Sequence, residues 1–360
     1  MTWPPRRAAR QLSLGGVKIG GGAPVSVQSM TKTDTRDVAA TLKQIEELAA
    51  AGCDIVRLAV VDAEAAAAVK RIRAGAPLPL VADIHFDYQL ALDCIENGID
   101  GLRLNPGNIG SRERVEKVAR RAQEKGIPIR IGVNAGSLEK RLLARYGGIT
   151  AEAMVESALG HIRILEQLGF YDIKVSLKAA SVPLTIEAYR RLAAEVDYPL
   201  HLGVTEAGSR RAGTVKSAIG IGALLAEGIG DTIRVSLTGP PREEVLVGRE
   251  ILRALGLRKD RPEIISCPTC GRCQIDLVGL VEQLEEAVAD LKVPLQIAVM
   301  GCVVNGPGEA READLGLAAG RGAGLIFRQG EPRYKVKEGE MLSALLKEIK
   351  EMAANLDKGD

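Results

Sequence analysis

The chain has 360 residues, 46% of them hydrophobic and 26% charged, with a formal net charge of +2. This length exceeds one compact core of usual size, so we expect two globular domains. The near-neutral charge and the 3% aromatic content argue against a nucleic-acid partner, which would need a basic field or stacking platforms.

No run approaches the ~20 apolar residues of a membrane span, so we expect no membrane partner. The N-terminal segment is basic but lacks the apolar core of a secretory signal. We therefore expect a cytoplasmic protein, and we interpret Arg6 and Arg7 as charges on a solvated tail.

Short β-branched apolar runs alternate with amphipathic Ala- and Leu-rich stretches over the first 256 residues. The eight predicted strands are Val25–Ser29, Ile55–Val60, Leu80–His85, Gly101–Asn105, Pro128–Asn134, Asp172–Lys178, Pro199–Glu206 and Thr232–Thr238. Strict alternation implies parallel strands with helical crossovers. Eight units in ~230 residues favour a closed (β/α)₈ TIM barrel over a doubly wound open sheet.

A charged segment that ends in proline, Gly256–Pro262, is typical of a linker. After it the pattern changes to two cysteine loops, a helix near Val278–Leu291, three short apolar runs and a final helix. The runs and the final helix are Leu295–Val299, Gly324–Arg328, Tyr334–Lys337 and Met341–Leu356. We predict a substrate-binding barrel over residues 1–258 and a smaller α/β domain over residues 264–360.

Polar side chains cluster where the predicted barrel strands end, which is the edge that carries chemistry in this fold. They are Gln28, Ser29, Arg57, Asp83, His85, Arg103, Asn105, Arg130, Asn134, Ser176, Lys178, Thr205, Glu206, Arg234 and Ser236. Charges inside apolar strands are costly unless they are paired or face a wet site.

Four of these cations, Arg57, Arg103, Arg130 and Lys178, come from different strands and would converge on one mouth. Because arginine matches phosphate oxygens in bidentate geometry, we infer a phosphate or diphosphate ligand. Glu206 fits either an acid–base group or a salt-bridge partner.

Four cysteines, Cys267, Cys270, Cys273 and Cys302, lie within 36 residues and predict a metal site. Cys302 has no second cysteine two or three residues away, which favours a 4Fe–4S cluster over a zinc ribbon. Two ligand sets are open on the residues alone: four cysteines, or three cysteines with Glu309, whose carboxylate would leave one iron exchangeable.

Several motifs together resemble the family of bacterial 4-hydroxy-3-methylbut-2-enyl diphosphate synthases of the non-mevalonate isoprenoid pathway, nearly end to end. They are Pro24–Thr31, Ala82–Phe86, Arg103–Asn108, Arg130–Ser137, Leu202–Ala207, Cys267–Cys270 and Val304–Glu309. The resemblance implies a reductive ring opening of 2-C-methyl-D-erythritol 2,4-cyclodiphosphate that uses two electrons. Because only a short linker separates the two predicted domains, the chain is similar to the short, two-domain form.

The resemblance also implies roles for individual residues. Substrate contacts fall on Arg57, Arg103, Arg130, Asn134, Lys178 and Ser236, acidic groups on Asp83 and Glu206, and cluster ligands on Cys267, Cys270, Cys302 and Glu309. It further implies reduced flavodoxin or ferredoxin as electron donor, and a homodimer whose active site is shared between subunits. The family usually lacks a cysteine at the position of Cys273, so this residue keeps the four-cysteine alternative open.

Two rival functions fit parts of the sequence. A phosphate-binding barrel aldolase or isomerase with a structural zinc domain would explain the barrel and the cysteines. A non-enzymatic zinc or cluster protein would not explain why four cations from different strands should meet at one mouth.

Overall fold

The computed structural model describes residues 3–289, 291–302, 308 and 311–356. The chain divides into two compact units, Met1–Arg258 and Lys259–Asp360. The first unit begins with a hairpin of strands β1 (Leu12–Leu14) and β2 (Val17–Ile19), which pair antiparallel.

Eight parallel strands follow in the first unit. They are β3 (Ser26–Met30), β4 (Ile55–Ala59), β5 (Leu80–Asp83), β6 (Gly101–Arg103), β7 (Ile129–Asn134), β8 (Ile173–Lys178), β9 (His201–Leu202) and β10 (Thr232–Ile233). Their order in the sheet is β8-β7-β6-β5-β4-β3-β10-β9. A parallel bridge between Val175 and Leu200 joins the two ends, with Val175 N donating to Pro199 O at 3.0 Å. The predicted eight-stranded barrel is therefore confirmed.

Helices connect the strands on the outside of the barrel. They are α1 (Val38–Ala50), α2 (Ala63–Gly75), α3 (Tyr88–Glu96), α4 (Arg112–Lys125), α5 (Lys140–Tyr146), α6 (Ala151–Glu166), α7 (Val182–Glu195), α8 (Arg210–Ala226) and α9 (Pro241–Ala254). Asp37, Asp62 and Asp87 cap the first three helices, each accepting a hydrogen bond from a first-turn backbone N–H. Such caps fix where each helix leaves the strand end, and so they hold the loops at the mouth in place.

All eight predicted barrel strands exist, but two are much shorter than expected. Pro199–Glu206 and Thr232–Thr238 were predicted as full strands, whereas β9 and β10 each pair over two residues. The residues after Leu202 and Ile233 leave the ladder and enter the loops of the mouth. Sequence composition alone does not mark the point where an extended chain stops pairing.

The hairpin closes the N-terminal end of the barrel. Leu12, Leu14 and Ile19 are buried and pack against Ile55 and Val81, which point inward from β4 and β5. This apolar layer shuts off the end of the barrel opposite the mouth, so it confines the polar interior to one open side.

The N-terminal arginines are not on a solvated tail, and that prediction is wrong. Arg6 donates to Gly230 O and to Asp231 Oδ1, both at 3.1 Å. Arg7 donates to Val196 O and, at 2.6 Å, to Tyr198 O. Backbone carbonyls exposed between strands at the barrel base need donors, and two arginines supply them.

Within its described residues, the second unit contains a five-stranded sheet and two long helices. Its strands, in both chain and sheet order, are β11 (Glu263–Ser266), β12 (Gln296–Met300), β13 (Leu315–Gly320), β14 (Ala323–Arg328) and β15 (Glu331–Lys337). The first three run parallel, and the last two pair antiparallel. Helices α10 (Leu277–Val288) and α11 (Met341–Leu356) bury Leu284, Leu345 and Ile349 against the sheet.

The central strand β13 was not predicted. All six of its residues are buried, yet four of them are glycine or alanine, which are depleted in strands. These small residues suit a strand that is covered on both faces. Packing around β13 is tight, because a Cβ on Gly324 of the neighbouring strand would clash with Leu317. Strand β11 and the β1–β2 hairpin were likewise missing from the prediction.

The arginine contacts at the barrel base lead to a stability prediction. Replacing Arg7 by Ala removes two hydrogen bonds to backbone carbonyls and should cost about 1–3 kcal/mol of unfolding free energy. The exposed Arg71 on α2, replaced by Ala, serves as the control and should change stability by less than about 0.5 kcal/mol. Urea unfolding followed by circular dichroism measures both; equal midpoints for the two variants would contradict the capping role of Arg7.

Candidate functional site at the barrel mouth

Register brings the predicted site residues together on the inner face of the barrel. Asp83 pairs with Arg103, and Arg103 pairs with Arg130, across strands β5, β6 and β7. Asn134 and Lys178 pair four residues beyond Arg130 along β7, nearer the mouth. Side chains in register on neighbouring parallel strands point to the same face and lie about 5 Å apart at their bases.

Asp83 is the carboxylate around which the cations gather. Its oxygens lie 3.1 Å from Arg103 Nη1, 3.7 Å from Arg57 Nε and 3.7 Å from His85 Nε2. Burial at 7% exposure would by itself raise the pKa of Asp83, but Arg57, the His85 contact, Arg103 and Arg130 outweigh burial and hold that pKa well below its usual range. Asp83 is therefore ionised at neutral pH.

Arg103 passes directly over a glycine. Its Nη2 donates to Gly132 O at 2.9 Å, and a Cβ on Gly132 would come within 2.6 Å of Arg103 Nε. Asn105 uses both ends of its amide on the same residue: Oδ1 accepts from Gly132 N at 2.8 Å, and Nδ2 donates to Gly132 O at 3.0 Å. The guanidinium is thereby held in one orientation.

Arg130 has unused donors. Its Nη1 donates to Ser176 Oγ at 2.7 Å, whereas Nε and Nη2 have no partner although the residue is 3% exposed. Burial, then the charges of Arg57 and Arg103, hold the pKa of Arg130 well below its ordinary value despite Asp83. A buried cation with open N–H groups is suited to bind an anion.

Arg57 and Lys178 complete the ring of cations. Burial is the main cause that lowers the pKa of Arg57 to about 9, and Arg57 donates to Met30 Sδ at 3.1 Å. Burial, followed by four arginines, holds the pKa of Lys178 well below its ordinary value. The side chain of Lys178 fits only because residue 203 is glycine. A Cβ atom at position 203 would lie 2.7 Å from Lys178 Nζ.

Glu206 lies at the rim of the mouth and not in the ring. It is exposed, has φ of 50°, and makes no hydrogen bond or ion pair with any described residue. Together with Asn134, Ser137 and Ser181 it lines a cavity of about 580 Å³. Ser236 is half-buried and is not among the described residues that line this cavity.

His85 is half exposed at the edge of the ring. Its Nε2 lies 3.1 Å from Arg103 Nη1, and its side chain is 56% exposed. The contacts with Asp83 and Arg103 indicate that the His85 imidazole acts as a hydrogen-bonding group that also reaches solvent.

Several buried ionisable residues of the barrel were not predicted from the sequence, among them Lys174, His201 and Glu244. Glu244 of α9 accepts from Leu237 N and Ser29 Oγ, each at 3.2 Å, and its Oε2 lies 3.5 Å from Arg234 Nη2. Glu244 lies on a helix, so it leaves no signal in the two-residue alternation that marks the inward face of a strand. Lys174 does leave one, because it precedes Ser176 and Lys178 on the same face of β8.

The cysteine loops of the second unit lie next to each other. Gln274 N donates to Gly301 O at 3.2 Å, and a Cβ on Gly301 would overlap Cys273 Sγ. Cys270 is exposed and Cys267 is half-buried. Among the described residues no group of three or more His, Cys, Asp or Glu side chains is arranged as a metal site, and Glu309 lies outside those residues.

Two family models match the chain in the same order as its two units. The GcpE TIM-barrel domain matches residues 9–249, and the GcpE protein C-terminal domain matches residues 263–351. The chain belongs to the GcpE family. This confirms the resemblance inferred from the motifs, and it agrees with the barrel of the first unit.

Curated proteins similar to this GcpE-family chain share one name. The 4-hydroxy-3-methylbut-2-en-1-yl diphosphate synthase (flavodoxin) of Geobacter sulfurreducens is 62% identical over 96% of this chain and 98% of its own length. Proteins of that name from Caldanaerobacter subterraneus subsp. tengcongensis and Clostridium perfringens are each 60% identical over 96% of this chain, and over 98% and 99% of their own lengths.

Solved structures give a weaker likeness. The dihydropteroate synthase of Yersinia pestis aligns with a TM-score of 0.49 and 12% identity, over 68% of this chain and 97% of that chain, which is too slight to support an inference. Within the part of the chain that the structure describes, every helix falls short of the length or apolarity that a membrane span requires.

The contact between the cysteine loops yields a paired test. Gly301→Ala should destabilise the protein, because the new methyl group must displace the Cys273 sulfur, and overpacking of this kind costs about 1–3 kcal/mol. Adding Cys273→Ala removes the obstructing sulfur and should restore most of the loss. Thermal unfolding of both variants, and of Cys273→Ala alone, measures this; a double variant no more stable than Gly301→Ala would show that the two loops do not meet at this atom.

Proposed function

We propose that the chain catalyses the reductive ring opening of 2-C-methyl-D-erythritol 2,4-cyclodiphosphate to 4-hydroxy-3-methylbut-2-enyl diphosphate. In this proposal two electrons reach the substrate through a 4Fe–4S cluster. The observation that carries it is the group of buried cations, with Arg57, Arg103 and Arg130 around the Asp83 carboxylate and Lys178 near these arginines. Positive charge and open donors are left for an anion. The shared name of relatives about 60% identical supports the same reaction.

The ring would bind the diphosphate. Arg130 Nε and Nη2 and Arg103 Nε are buried N–H groups without a partner among the described residues, and phosphoryl oxygens are suited to accept from them. Lys178 and Arg57 have lowered pKa values, so an incoming anion would favour their charged forms. Asn134 and Ser236 are proposed as further polar contacts.

The two acidic residues would have different duties. Asp83, ionised and held between arginines, would orient Arg57 and Arg103. Glu206 is exposed and unpartnered among the described residues, so its carboxyl is free to approach the substrate oxygen and give up a proton. The catalytic proton donor in this proposal is therefore Glu206, with Asp83 acting through the arginines.

The cysteine loops would hold the cluster. Three thiolates, Cys267, Cys270 and Cys302, with the carboxylate of Glu309 form a donor set suited to iron, and Gly301 lets the two loops approach. When bound, the cluster would relay, one at a time, the two electrons that the ring opening requires and that the reduced flavodoxin or ferredoxin provides. This domain of residues 264–360 would deliver reducing power, and the barrel of residues 1–258 would bind and orient the substrate.

The proposal also covers the partners. The relatives' name includes flavodoxin, which supports a reduced flavodoxin as electron donor, with ferredoxin as the other candidate. A homodimer with a shared active site and a cytoplasmic location stay predictions. The rival aldolase or isomerase with a structural zinc is not favoured, because the relatives that are 60–62% identical are named as diphosphate synthases.

Turnover and binding test this function together. Anaerobically purified protein should convert the cyclic diphosphate with reduced flavodoxin, and Arg130→Ala should weaken substrate binding roughly ten- to a hundredfold by removing charge-assisted hydrogen bonds worth about 1.5–3 kcal/mol. The exposed Arg141→Ala on α5 is the control and should bind like wild type. Calorimetry gives the dissociation constants; equal values for wild type and Arg130→Ala would reject the assignment of Arg130.

The two candidate ligand sets for the cluster differ in the fourth ligand, which is either Glu309 or Cys273. Cys273→Ser should keep a full complement of iron and sulfide and most of the activity, because Glu309 is proposed to hold the exchangeable iron. Glu309→Ala should lose cluster stability, activity or both. Anaerobic iron and sulfide analysis with Mössbauer spectra decides this. A Cys273→Ser protein without a cluster, beside an intact Glu309→Ala cluster, would establish the four-cysteine set.

A further inference from the structure

Lys174 is a buried lysine that the proposed chemistry does not use. It lies on β8 below Ser176 and Lys178, on the face that points into the barrel. The residue is 2% exposed, and its Nζ has no hydrogen-bond partner among the described residues. A lysine in this state is either neutral or in need of an anion.

Several charged or titratable groups face this part of the interior, from each neighbouring element. They are Arg130 on β7, Lys178 on β8, His201 on β9, Asp231 before β10 with the N-terminal Arg6 and Arg7 bound to it, and the higher-lying Arg57, Arg103, Asp83 and Arg234. The surplus is positive, and Asp231 is already engaged by Arg6 and by Leu200 N. Lys174 therefore has no carboxylate to itself.

Arg130 is the link between Lys174 and the mouth. The two residues are in register on adjacent strands, so their side chains start about 5 Å apart on the same face. Arg130 Nε and Nη2 are buried without a partner among the described residues, and in the proposed function they would donate to the diphosphate. An anion on Arg130 would thus act electrostatically on Lys174, its register partner, in a water-poor interior.

We propose that Lys174 takes up one proton from solvent when an anion binds at the barrel mouth, so that substrate binding is coupled to the charging of a lysine beneath the site. The inference rests on the proposed function for the identity of the anion, and it adds a positioning residue that the family resemblance does not assign. Lys174 acts through Arg130 and touches no substrate atom.

The expected pH dependence follows from the pKa of Lys174. Burial foremost, and then Arg130, lower this pKa to about 7, whereas Asp231 raises it. At pH 8 about nine tenths of the empty protein would carry neutral Lys174. A bound anion raises the pKa, so binding at pH 8 should draw in up to about 0.9 proton at this residue, and below pH 6 almost none.

Calorimetry in buffers of different ionisation enthalpy measures the protons taken up on binding. The cyclic diphosphate is a suitable ligand because each of its phosphate groups has only one acidic proton, which is lost well below neutral pH. The ligand therefore contributes no proton exchange of its own near pH 7. Lys178 contributes its own uptake, so the diagnostic quantity is the difference between proteins. Lys174→Met should take up about 0.9 proton fewer than wild type at pH 8, and the two proteins should agree below pH 6.

Lys174→Arg separates charge from packing, because guanidinium keeps its proton. It too should lack the extra uptake, yet its affinity should exceed that of Lys174→Met and fall less steeply with rising pH than that of wild type. The wild-type affinity should lose up to about tenfold more per pH unit above pH 7 than the affinity of either variant. Circular dichroism verifies folding, and if one of the two variants fails to fold, the other still supplies the difference from wild type.

Sulfate serves as a second probe that does not depend on the proposed substrate. Substrate binding with no proton uptake by wild type, or with equal uptake by wild type and both variants, would overturn the inference and leave the proposed function standing. Failure of the cyclic diphosphate to bind, with Lys174-dependent uptake on sulfate binding, would reject the proposed function and leave the inference standing.

Discussion

The buried carboxylate of Asp83 is the interaction on which the barrel interior depends. Three arginines from neighbouring strands share this single anion, and each has been taken out of water at considerable cost. The arrangement is tolerable because Arg130 donates to Ser176 Oγ, Arg103 to Gly132 O and Arg57 to Met30 Sδ, which satisfies part of each guanidinium. The remaining positive charge and the unused donors make the mouth a site that an anion stabilises.

A polar interior places demands on the rest of the barrel. Glycines must stand where long side chains cross the strands, as at Gly132 under Arg103 and at Gly203 beside Lys178. The base must be closed, and the β1–β2 hairpin does this with an apolar layer. The mouth remains as the open end, and its loops carry Asn134 and Glu206. In the proposed function, an anion would enter the barrel from this side.

The packing of the second unit also depends on small residues. Its central strand β13 is buried at every position, and Gly301 lets one cysteine loop contact the other. In the proposed function, redox chemistry and anion binding would thus have separate scaffolds: a sheet with cysteine loops for the first and a closed barrel for the second. The family match, which spans both units in order, shows that the two belong to one protein type.

The sequence by itself determined the alternation of strands and helices, the eight-stranded barrel, the strand-end cations and the clustered cysteines, because all of these are written as local periodicity and spacing. Tertiary structure decided what has no local signal. Arg6 and Arg7 cap the barrel base because carbonyls from distant loops meet there, and Glu244 reaches the interior from a helix. β13 is a strand because it is enclosed, although its composition disfavours one. The charge state of each buried residue depends on neighbours that only folding brings within a few ångströms.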